Sequence, residues 1–499
     1  MSGDWFRGKV MLCLLIFVVC AEISVSARAS QTTEAAASGD TSGVLHRLMT
    51  DPLLARPPLL FQGIALPGDT APTPCPSRVN ISSALSLTSA VDLALCSNPR
   101  LRNTWAQIKA NAALVGQARA AYLPTLSVQL SELNSHTVYP NFPSADNTTQ
   151  GHMTYASLNW LLFDFGGRAA NLEAADDALQ AAINSDDAEM QRLLGEVVRD
   201  YFNAIVAKAR LKADIRAATL ARKSEGSARR RLRHGVGDRG DLAQAQTASA
   251  KANLTLARDT GELAKAQAEL VYALGLVPDT NLILPSLVVP ARSKALAALA
   301  QWMIVAERSQ PGIRAAREQW AAAQAKVRSA RSGGLPTLSF VTTFDQNGYP
   351  NQGLQTTGSN VAAIGLMLNI PIFDGFLQHY KVDEARARAE AAQAQMQDTE
   401  HRILEQVVAA YGDAVAALDT LDASKTLLKS ARVAVGAAQD RYDHGVGSML
   451  ELLSAQSDLA DARQQRIQSL AQWDASRLEL LAASGVLGHA ALGFARGGE

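Results

Sequence analysis

The amino-acid sequence predicts a mainly α-helical fold with a β-barrel part, to which each chain contributes four strands. Two observations predict this fold: the sequence repeats itself at a nearly constant offset, and within each repeat the hydrophobic period changes from helical to strand-like and back. The composition agrees. Aromatic residues make up only 5% of the 499 residues and small residues are abundant, which favours long helices that approach one another closely.

The internal repeat divides the chain into two similar halves. The segment Leu-Pro-Thr-Leu-Ser at 123–127 returns 212 residues later at 335–339, and from the Tyr-Pro-Asn segments onward the offset is 210. The sequence therefore predicts a first structural repeat over 81–285 and a second over 286–488, followed by a C-terminal tail at 489–499. Residues 28–80 are rich in Pro, Ala and Ser and are predicted to form an irregular extension.

Each repeat is predicted to run helix, strand, strand, helix, helix. Alternation of apolar and polar residues marks the strands, as at Leu126, Val128 and Leu130 in the first repeat. A polar loop that contains Tyr-Pro-Asn joins the two strands of each repeat, while Pro124 and Pro336 end the preceding helices. These patterns predict one β-hairpin in each repeat.

The helices that follow the hairpins are predicted to be very long. No proline interrupts residues 169–233, which as one continuous helix would extend about 100 Å. Apolar residues spaced 3, 4 and 3 positions apart indicate coiled-coil packing in both repeats: Leu194, Val197, Tyr201, Ala204, Leu404, Val407, Tyr411 and Ala414. The returning helices carry matching seams of mostly small residues, so each repeat is predicted to end in a long helical hairpin.

Residues 1–27 are predicted to be a secretory signal peptide, because Arg7 and Lys9 precede an apolar run that ends in small residues. No later apolar stretch reaches about 18 residues, so any membrane crossing is predicted to use strands. An open sheet edge leaves backbone groups without partners in lipid. Identical chains are therefore expected to close the barrel by forming a ring.

Two cysteines, Cys75 and Cys96, remain once the predicted signal is removed. Outside the cytoplasm such a pair tends to be bonded, so a disulfide is expected. Two buried free thiols are the alternative.

The sequence offers little support for an enzyme or a nucleic-acid-binding protein. The 47 basic and 47 acidic residues balance to a net charge of +0, which gives no argument for nucleic acid as a partner. The histidines lack zinc-ligand spacing, and the distinctive residues recur in both repeats instead of converging in one. Residues 235–240 match a dinucleotide-binding pattern but follow a helix where that mechanism needs a strand. No catalytic residue, metal or cofactor is predicted.

Several motifs together resemble the TolC-like outer-membrane efflux proteins over about residues 87–487. They are Ala90-Val91-Asp92-Leu93-Ala94-Leu95 with Asn98-Pro99, the Leu-Pro strand entries, Phe163-Asp164, Phe373-Asp374, and Arg441-Tyr442 followed by His444-Gly445-Val446-Gly447. Cys75, Cys96 and Arg100 are more similar to the branch that serves type I protein secretion, such as cyclolysin exporters.

The resemblance implies a homotrimer in the Gram-negative outer membrane, with a twelve-stranded barrel in lipid and a coiled-coil tunnel extending into the periplasm. The tunnel would meet a periplasmic adaptor protein and an inner-membrane transporter, either ABC-type or proton-driven. The chain itself would be a passive duct with a periplasmic gate, and would catalyse nothing. A multidrug efflux component and, from another class, a soluble periplasmic coiled-coil scaffold are the alternative functions.

The resemblance places the gate on Asp241, Tyr442 and Glu451, and the adaptor contact on the tip turns His234, Gly235, Val236, Gly237, His444, Gly445, Val446 and Gly447. The best-known member of the family has an arginine where Gly447 stands and an acid where Ser454 stands, which questions the charged part of the gate. The residues themselves also allow plainer roles. Asp241 and Glu451 suit helix capping and solubility, Tyr442 suits packing, and the two histidines suit exposed turns or a pH sensor.

Overall fold

The computed structural model of the protein describes residues 51–58, 65–66, 75, 84–138, 140–141, 143, 147–287, 296–347 and 359–493. The predicted signal peptide, most of the extension, and the Tyr-Pro-Asn segment of the second repeat lie outside the described residues. The chain divides into two compact units, residues 1–54 and 55–499. In the first unit, a turn joins Leu54 N to Asp51 O at 3.1 Å. The helices and strands belong to the second unit.

The predicted order of elements is found in both repeats, with the first helix split in two. The first repeat contains α1 (Leu87–Ser97), α2 (Pro99–Ala120), β1 (Thr125–Thr137), β2 (Asn147–Phe163), α3 (Gly167–Arg233) and α4 (Arg239–Ala273). The second contains α5 (Leu299–Ser309), α6 (Pro311–Ser332), β3 (Thr337–Asn347), β4 (Ser359–Asn369), α7 (Leu377–Asp443) and α8 (Met449–Ala483). The splits fall before Pro99 and Pro311, because proline disfavours a helical conformation in the preceding residue. A short helix, α9 (His489–Gly493), lies in the segment predicted as the tail.

The four strands form one antiparallel sheet in the order β1-β2-β3-β4. The register places Leu126 opposite Leu158, Trp160 opposite Phe340 and Phe340 opposite Leu366, which gives one apolar face. The other face is polar, with Ser127 opposite Ser157. Most of the apolar face is exposed in the single chain, since Leu126 is 70% and Leu366 66% exposed.

A sharp corner connects each hairpin to its long helix. In the first repeat Phe165 and Gly166 adopt left-handed backbone conformations, and the Asp164 carboxylate accepts a hydrogen bond from Arg168 N at 2.7 Å. The second repeat has the same corner, with Asp374 accepting from Gln378 N at 2.9 Å. The aspartate of each Phe-Asp motif therefore satisfies an amide in the first turn of the helix.

The long helices α3 and α7, 67 residues each, run through both halves of the helical part. On the sheet side the packing order is α2-α3-α6-α7, and on the tip side it is α4-α3-α8-α7. The predicted seam residues are buried in α3, where Leu194, Val197 and Ala204 have no exposed surface. No helix in the described part of the chain is long and apolar enough to span a membrane.

A joint separates these two halves, at the level where α4 and α8 end. Gly275 has a left-handed backbone (φ +70°), and a Cβ there would lie 2.7 Å from Asn98 Cα. The Asn98 side chain donates to Ala273 O at 2.9 Å. The second repeat matches this contact, because a Cβ on Gly485 would lie 2.7 Å from Gln310 Cα. The largest apolar cluster of the described residues surrounds the joint, so the close backbone approach lies within a packed core.

Candidate gate at the helical tips

Both tips use the same left-handed glycine turn. Gly235 (φ +75°) follows the C-cap His234, and Val236 N donates to Arg231 O at 3.1 Å; Gly445 (φ +79°) follows His444 in the same way. These bonds satisfy carbonyls of the last helical turn. The predicted tip turns therefore lie at the ends of the two hairpins, with Val236 and Val446 68% and 73% exposed.

The glycine at 447 has a steric reason. A Cβ on Gly447 would lie 3.0 Å from Arg441 C and Cβ and from Tyr442 N, which is tighter than ordinary contact. Gly237 is similarly close to Arg231 and Leu232 N, at 2.9 Å. An arginine at 447 would therefore require the neighbouring backbone to shift by a few tenths of an ångström.

Asp238 and Ser448 cap the two returning helices, whereas Asp241 and Glu451 lie within the first turns. Asp238 accepts from Arg239 N and Gly240 N at 2.7 and 2.9 Å, and Ser448 accepts from Glu451 N at 3.1 Å. The Glu451 carboxylate instead pairs with Arg441 Nη1 at 3.1 Å. Both groups of that pair are substantially exposed, so it contributes little to stability.

Tyr442 lies where the first hairpin meets the second. It is 5% exposed and packs in an apolar cluster with Ala228, Ala245, Met449 and Leu452. The Arg231 guanidinium lies over its ring, 4.7 Å from the centroid, and Arg231 Nη1 donates to Tyr442 O at 3.1 Å. This arrangement is a cation–π contact combined with a hydrogen bond, and it links α3 to α7.

The charges around Tyr442 act in opposite directions. Burial raises the pKa of its hydroxyl, Arg231 opposes this effect, and Asp241 adds to it. Asp241 in the first turn of α4 is thus within electrostatic range of Tyr442, although it caps nothing itself. The structure brings Asp241 within electrostatic range of Tyr442, whereas Glu451 pairs with Arg441.

Sequence reasoning missed Arg231 and gave Arg441 only as part of a family motif, without a role at the gate. They are equivalent at the repeat offset of 210, and this equivalence was the available signal. Their contacts differ because the residue after Arg441 is Tyr442, whereas the residue after Arg231 is Leu232.

The remaining predicted residues have structural surroundings. His444 Nδ1 lies 2.7 Å from Asp440 O, and both tip histidines are exposed. Cys75 and Cys96 form a disulfide, which attaches Cys75 to the end of α1. Arg100, after the Asn98-Pro99 break, pairs with Glu189 and Glu196, both at 2.8 Å. Among the described residues there is no cluster of His, Cys, Asp and Glu that could hold a metal ion.

Known proteins share this architecture. The solved outer-membrane channel OprN superposes with a TM-score of 0.71 at 21% identity, covering 85% of this chain and 96% of that one. VceC from Vibrio cholerae superposes with a TM-score of 0.69 at 20% identity, covering 80% and 96%. At such identities the likeness shows the fold alone: mainly helical, with a small antiparallel sheet of four strands.

Sequence relatives extend the likeness. Protein CyaE of Bordetella pertussis is 38% identical over 88% of this chain and 91% of its own length. The solvent efflux pump outer membrane protein SrpC of Pseudomonas putida is 26% identical over 80% and 85%. The outer membrane protein TolC of Escherichia coli strain K12 is 23% identical over 82% and 84%. The family described as outer membrane efflux protein matches residues 90–276 and 303–486, and this chain, an outer-membrane channel that extends into the periplasm, belongs to that family.

Proposed function

We propose that three copies of this chain close into one tube that passively exports cargo across the periplasm and the outer membrane. The cargo is handed over by an inner-membrane transporter and a periplasmic adaptor, and the chain itself catalyses no reaction. The observation that carries this proposal is the incomplete packing of the second repeat, described next.

Among the described residues, the contacts that join the first repeat to the second have no counterpart on the far side of the second repeat. Within the chain, α3 packs against α6 and α8. At the repeat offset, α3 corresponds to α7, and α6 and α8 correspond to α2 and α4. The chain thus predicts contacts of α7 with α2 and α4 of a neighbouring copy. Likewise β2 pairs with β3 within the chain, which predicts pairing of β4 with β1 of the neighbour.

The exposure of apolar residues agrees with such an interface. Val198 and Ile205 on α3 are 0% and 4% exposed, whereas their equivalents Val408 and Val415 on α7 are 43% and 37% exposed. Ala482 on α8 is 8% exposed, whereas its equivalent Tyr272 on α4 is 71% exposed. A head-to-tail contact of this kind either closes into a ring or forms an open filament. A ring of three gives twelve strands, as the family resemblance implies, and closure removes the sheet edges.

Cysteine cross-linking tests the ring. A Cβ on Gly195 would lie 3.5 Å from Ala482 Cβ within the chain. The equivalent pair is Glu405 with the neighbour's Tyr272. We expect Tyr272→Cys/Glu405→Cys to give covalent dimers and trimers on oxidation. The control Gly195→Cys/Ala482→Cys bonds within one chain and leaves its mass unchanged. Monomers alone from the first pair, in protein that inserts into bilayers, would contradict the ring.

For the cargo we propose protein, exported by type I secretion. The identity to CyaE, 38%, is well above the 26% to the solvent pump protein SrpC and the 23% to TolC. The residues that carry the branch resemblance also make structural contacts. Cys96, in the last turn of α1, is bonded to Cys75, and Arg100 pairs with two glutamates of α3. A deletion strain that keeps its drug susceptibility but loses one secreted protein would support this proposal. Drug sensitivity with normal secretion would contradict it.

We propose further that Asp241, Tyr442 and Glu451 form the gate at the tube entrance. Tyr442 and Arg231 hold the two hairpins of a chain together, and three copies of Asp241 and Glu451 would surround the opening with acids, which favours cations. In planar bilayers we expect Glu451→Gln and Asp241→Asn to raise single-channel conductance or reduce cation preference. Asp440→Asn, an exposed acid on the same turn, is the matched control. Channels unchanged by the first two variants would leave these acids only local structural roles.

A further inference from the structure

A patch of unpaired basic residues crosses three adjacent helices between the joint and the tips. Its members are exposed or half-buried, and none makes an ion pair within the described part of the chain: Lys212, Arg216, Lys425, Lys429, Arg432 and Arg463. We call these six residues the basic patch. Lys212 and Arg216 lie on α3, Arg463 on α8, and the other three on α7.

Contacts between the helices place these residues side by side. Gln464 donates to Asp214 at 3.1 Å, so Arg463 and Arg216 are at the same level of the α3–α8 contact. Ala431 packs against Ala462, so Arg432 and Arg463 are at the same level of the α7–α8 contact. On α7, Lys425, Lys429 and Arg432 are spaced 4 and 3 positions apart, which puts them on one face.

The positive charge of Arg463 is not compensated. The pKa of Arg463 is lowered by burial, and both charged groups that act on it, Arg432 and Arg216, are positive. Among the described residues, no carboxylate pairs with Arg463.

The patch includes three residues of α7, the helix proposed to meet a neighbouring copy, but it also extends across α8 to α3. Because α8 lies between α3 and α7, a row with one member on α8 crosses the face of the helix layer. Glu451, also on α8, precedes Arg463 by twelve residues, which turns the two side chains about 120–150° apart around the helix. With Glu451 at the entrance, as proposed above, the patch faces the outside of the tube.

The basic patch is also not repeated within the chain, because the equivalent residues in the other repeat are mostly not basic. The equivalents of Lys425, Lys429 and Arg463 are Ile215, Thr219 and Asn253, and those of Lys212 and Arg216 are Asp422 and Thr426. Only Arg432 has a basic equivalent, Arg222. A tube of three chains would therefore carry three basic patches on its outer surface, alternating with faces of different charge.

We propose that the basic patch is a docking site for an acidic surface of the periplasmic adaptor, on the outside of the tube and separate from the tips. This proposal rests on the duct function proposed above. Charge complementarity selects the occupant: a row of cations that make no ion pair among the described residues fits Asp- and Glu-rich protein. A neighbouring copy is proposed to contact α7 at the edge of the layer, which leaves the patch residues on α3 and α8 uncovered.

Binding of the purified periplasmic domain of the adaptor to the purified trimer tests the proposal. We expect binding to be tighter at about 50 mM than at about 200 mM NaCl, because salt screens exposed charges. Arg216→Gln/Arg432→Gln/Arg463→Gln should weaken binding at least about tenfold at low salt and flatten the salt dependence. Arg222→Gln is the matched control and should bind as the unmodified chain does. Lys429→Glu, a single exposed change, repeats the test should the triple variant fail to assemble.

Several outcomes would overturn the proposal. One is adaptor binding that survives the triple substitution. Another is an equal loss of adaptor binding with Arg222→Gln. A third is that sodium phosphate raises the melting temperature of the unmodified trimer but not that of the triple variant, while the two bind the adaptor equally. The last result would assign the patch to small anions. An unmodified trimer that conducts but binds no adaptor at either salt concentration would reject the adaptor as a partner altogether, which distinguishes failure of the proposed function from failure of the patch alone.

Discussion

The helices α3 and α7 have equal length and equivalent positions in the two repeats, yet they are buried to very different extents. The α3 seam is covered by α6 and α8 of the same chain, so Val198 has no exposed surface. Its equivalent on α7, Val408, is 43% exposed. The same local sequence pattern thus forms a completed core in one repeat and an open surface in the other. In the proposed ring, this open surface of α7 becomes core between neighbouring chains.

The largest effect is expected when a charge is introduced at the equivalent positions Val198 and Val408 of the two helices. Val198→Asp would bury an unpaired carboxylate in the core and should destabilise the chain by about 4 kcal/mol or more. Val408→Asp should leave the chain folded but prevent assembly. Circular dichroism melts and light scattering in detergent distinguish the two results. Normal trimers of Val408→Asp would break the comparison between α3 and α7.

A smaller but clear effect is expected at two glycines with the same backbone angle. Gly275 and Gly375 both have φ +70°, but only Gly275 lies against another backbone. Gly375→Ala should cost about 1–2 kcal/mol for the left-handed conformation alone. Gly275→Ala adds a clash with Asn98 and should cost about 3 kcal/mol or more. Equal losses in melting temperature would show that the joint yields easily.

The third effect depends on pH and concerns a buried acid present in only one repeat. Burial raises the pKa of Asp186 to about 6, against the bond that Thr104 donates to it; its equivalent is Met396. The folded state therefore favours the protonated acid. The stability this contributes is complete below about pH 4, and is lost as pH rises through 6, by at most about 3 kcal/mol.

Asp186→Asn should remove this part of the pH dependence. Asp200 and Asp214 also have pKa values raised to about 6, so the quantity to measure is the difference in unfolding free energy between the two proteins from pH 4 to 7. A difference that stays constant over this range would show that Asp186 is ionised in the folded chain.

The smallest effect is expected at the equivalent arginines of the tips. Arg231→Gln removes the contact with the buried Tyr442 ring and should speed amide exchange in 440–446 by about tenfold. Arg441→Gln removes only an exposed pair with Glu451 and should change exchange less than about threefold. Equal changes in the exchange rate would mean that the contact of Arg231 with Tyr442 stabilises its tip no more than the exposed Arg441–Glu451 pair does.

Sequence patterns predicted the repeat, the strands and the long helices because these depend on local periodicity. The apolar faces of Leu126 and Leu366 follow directly from alternation, and the tip turns follow from their glycines. The breaks at Asn98 and Gln310 were not predicted, although a proline follows each. The contact of Gly275 with Asn98 could not be predicted, because it joins residues far apart in sequence whose approach depends on packing. Arg231 was missed for the same reason: its partner, Tyr442, is on the other hairpin.

The positions of Gly275 and Gly485 set how far the tips would travel if the hairpins tilted at this joint. From this joint α4 extends 35 residues, or about 50 Å, to its tip. The helical hairpin would therefore tilt as a rigid body about a hinge at the two glycine contacts. A tilt of about 5° at this hinge displaces the tip by about 4 Å, enough to exchange the partners of Arg231 and Glu451 without unfolding any helix. Displacing each tip by this distance would thus require only a small change in the backbone contacts of the core at the joint.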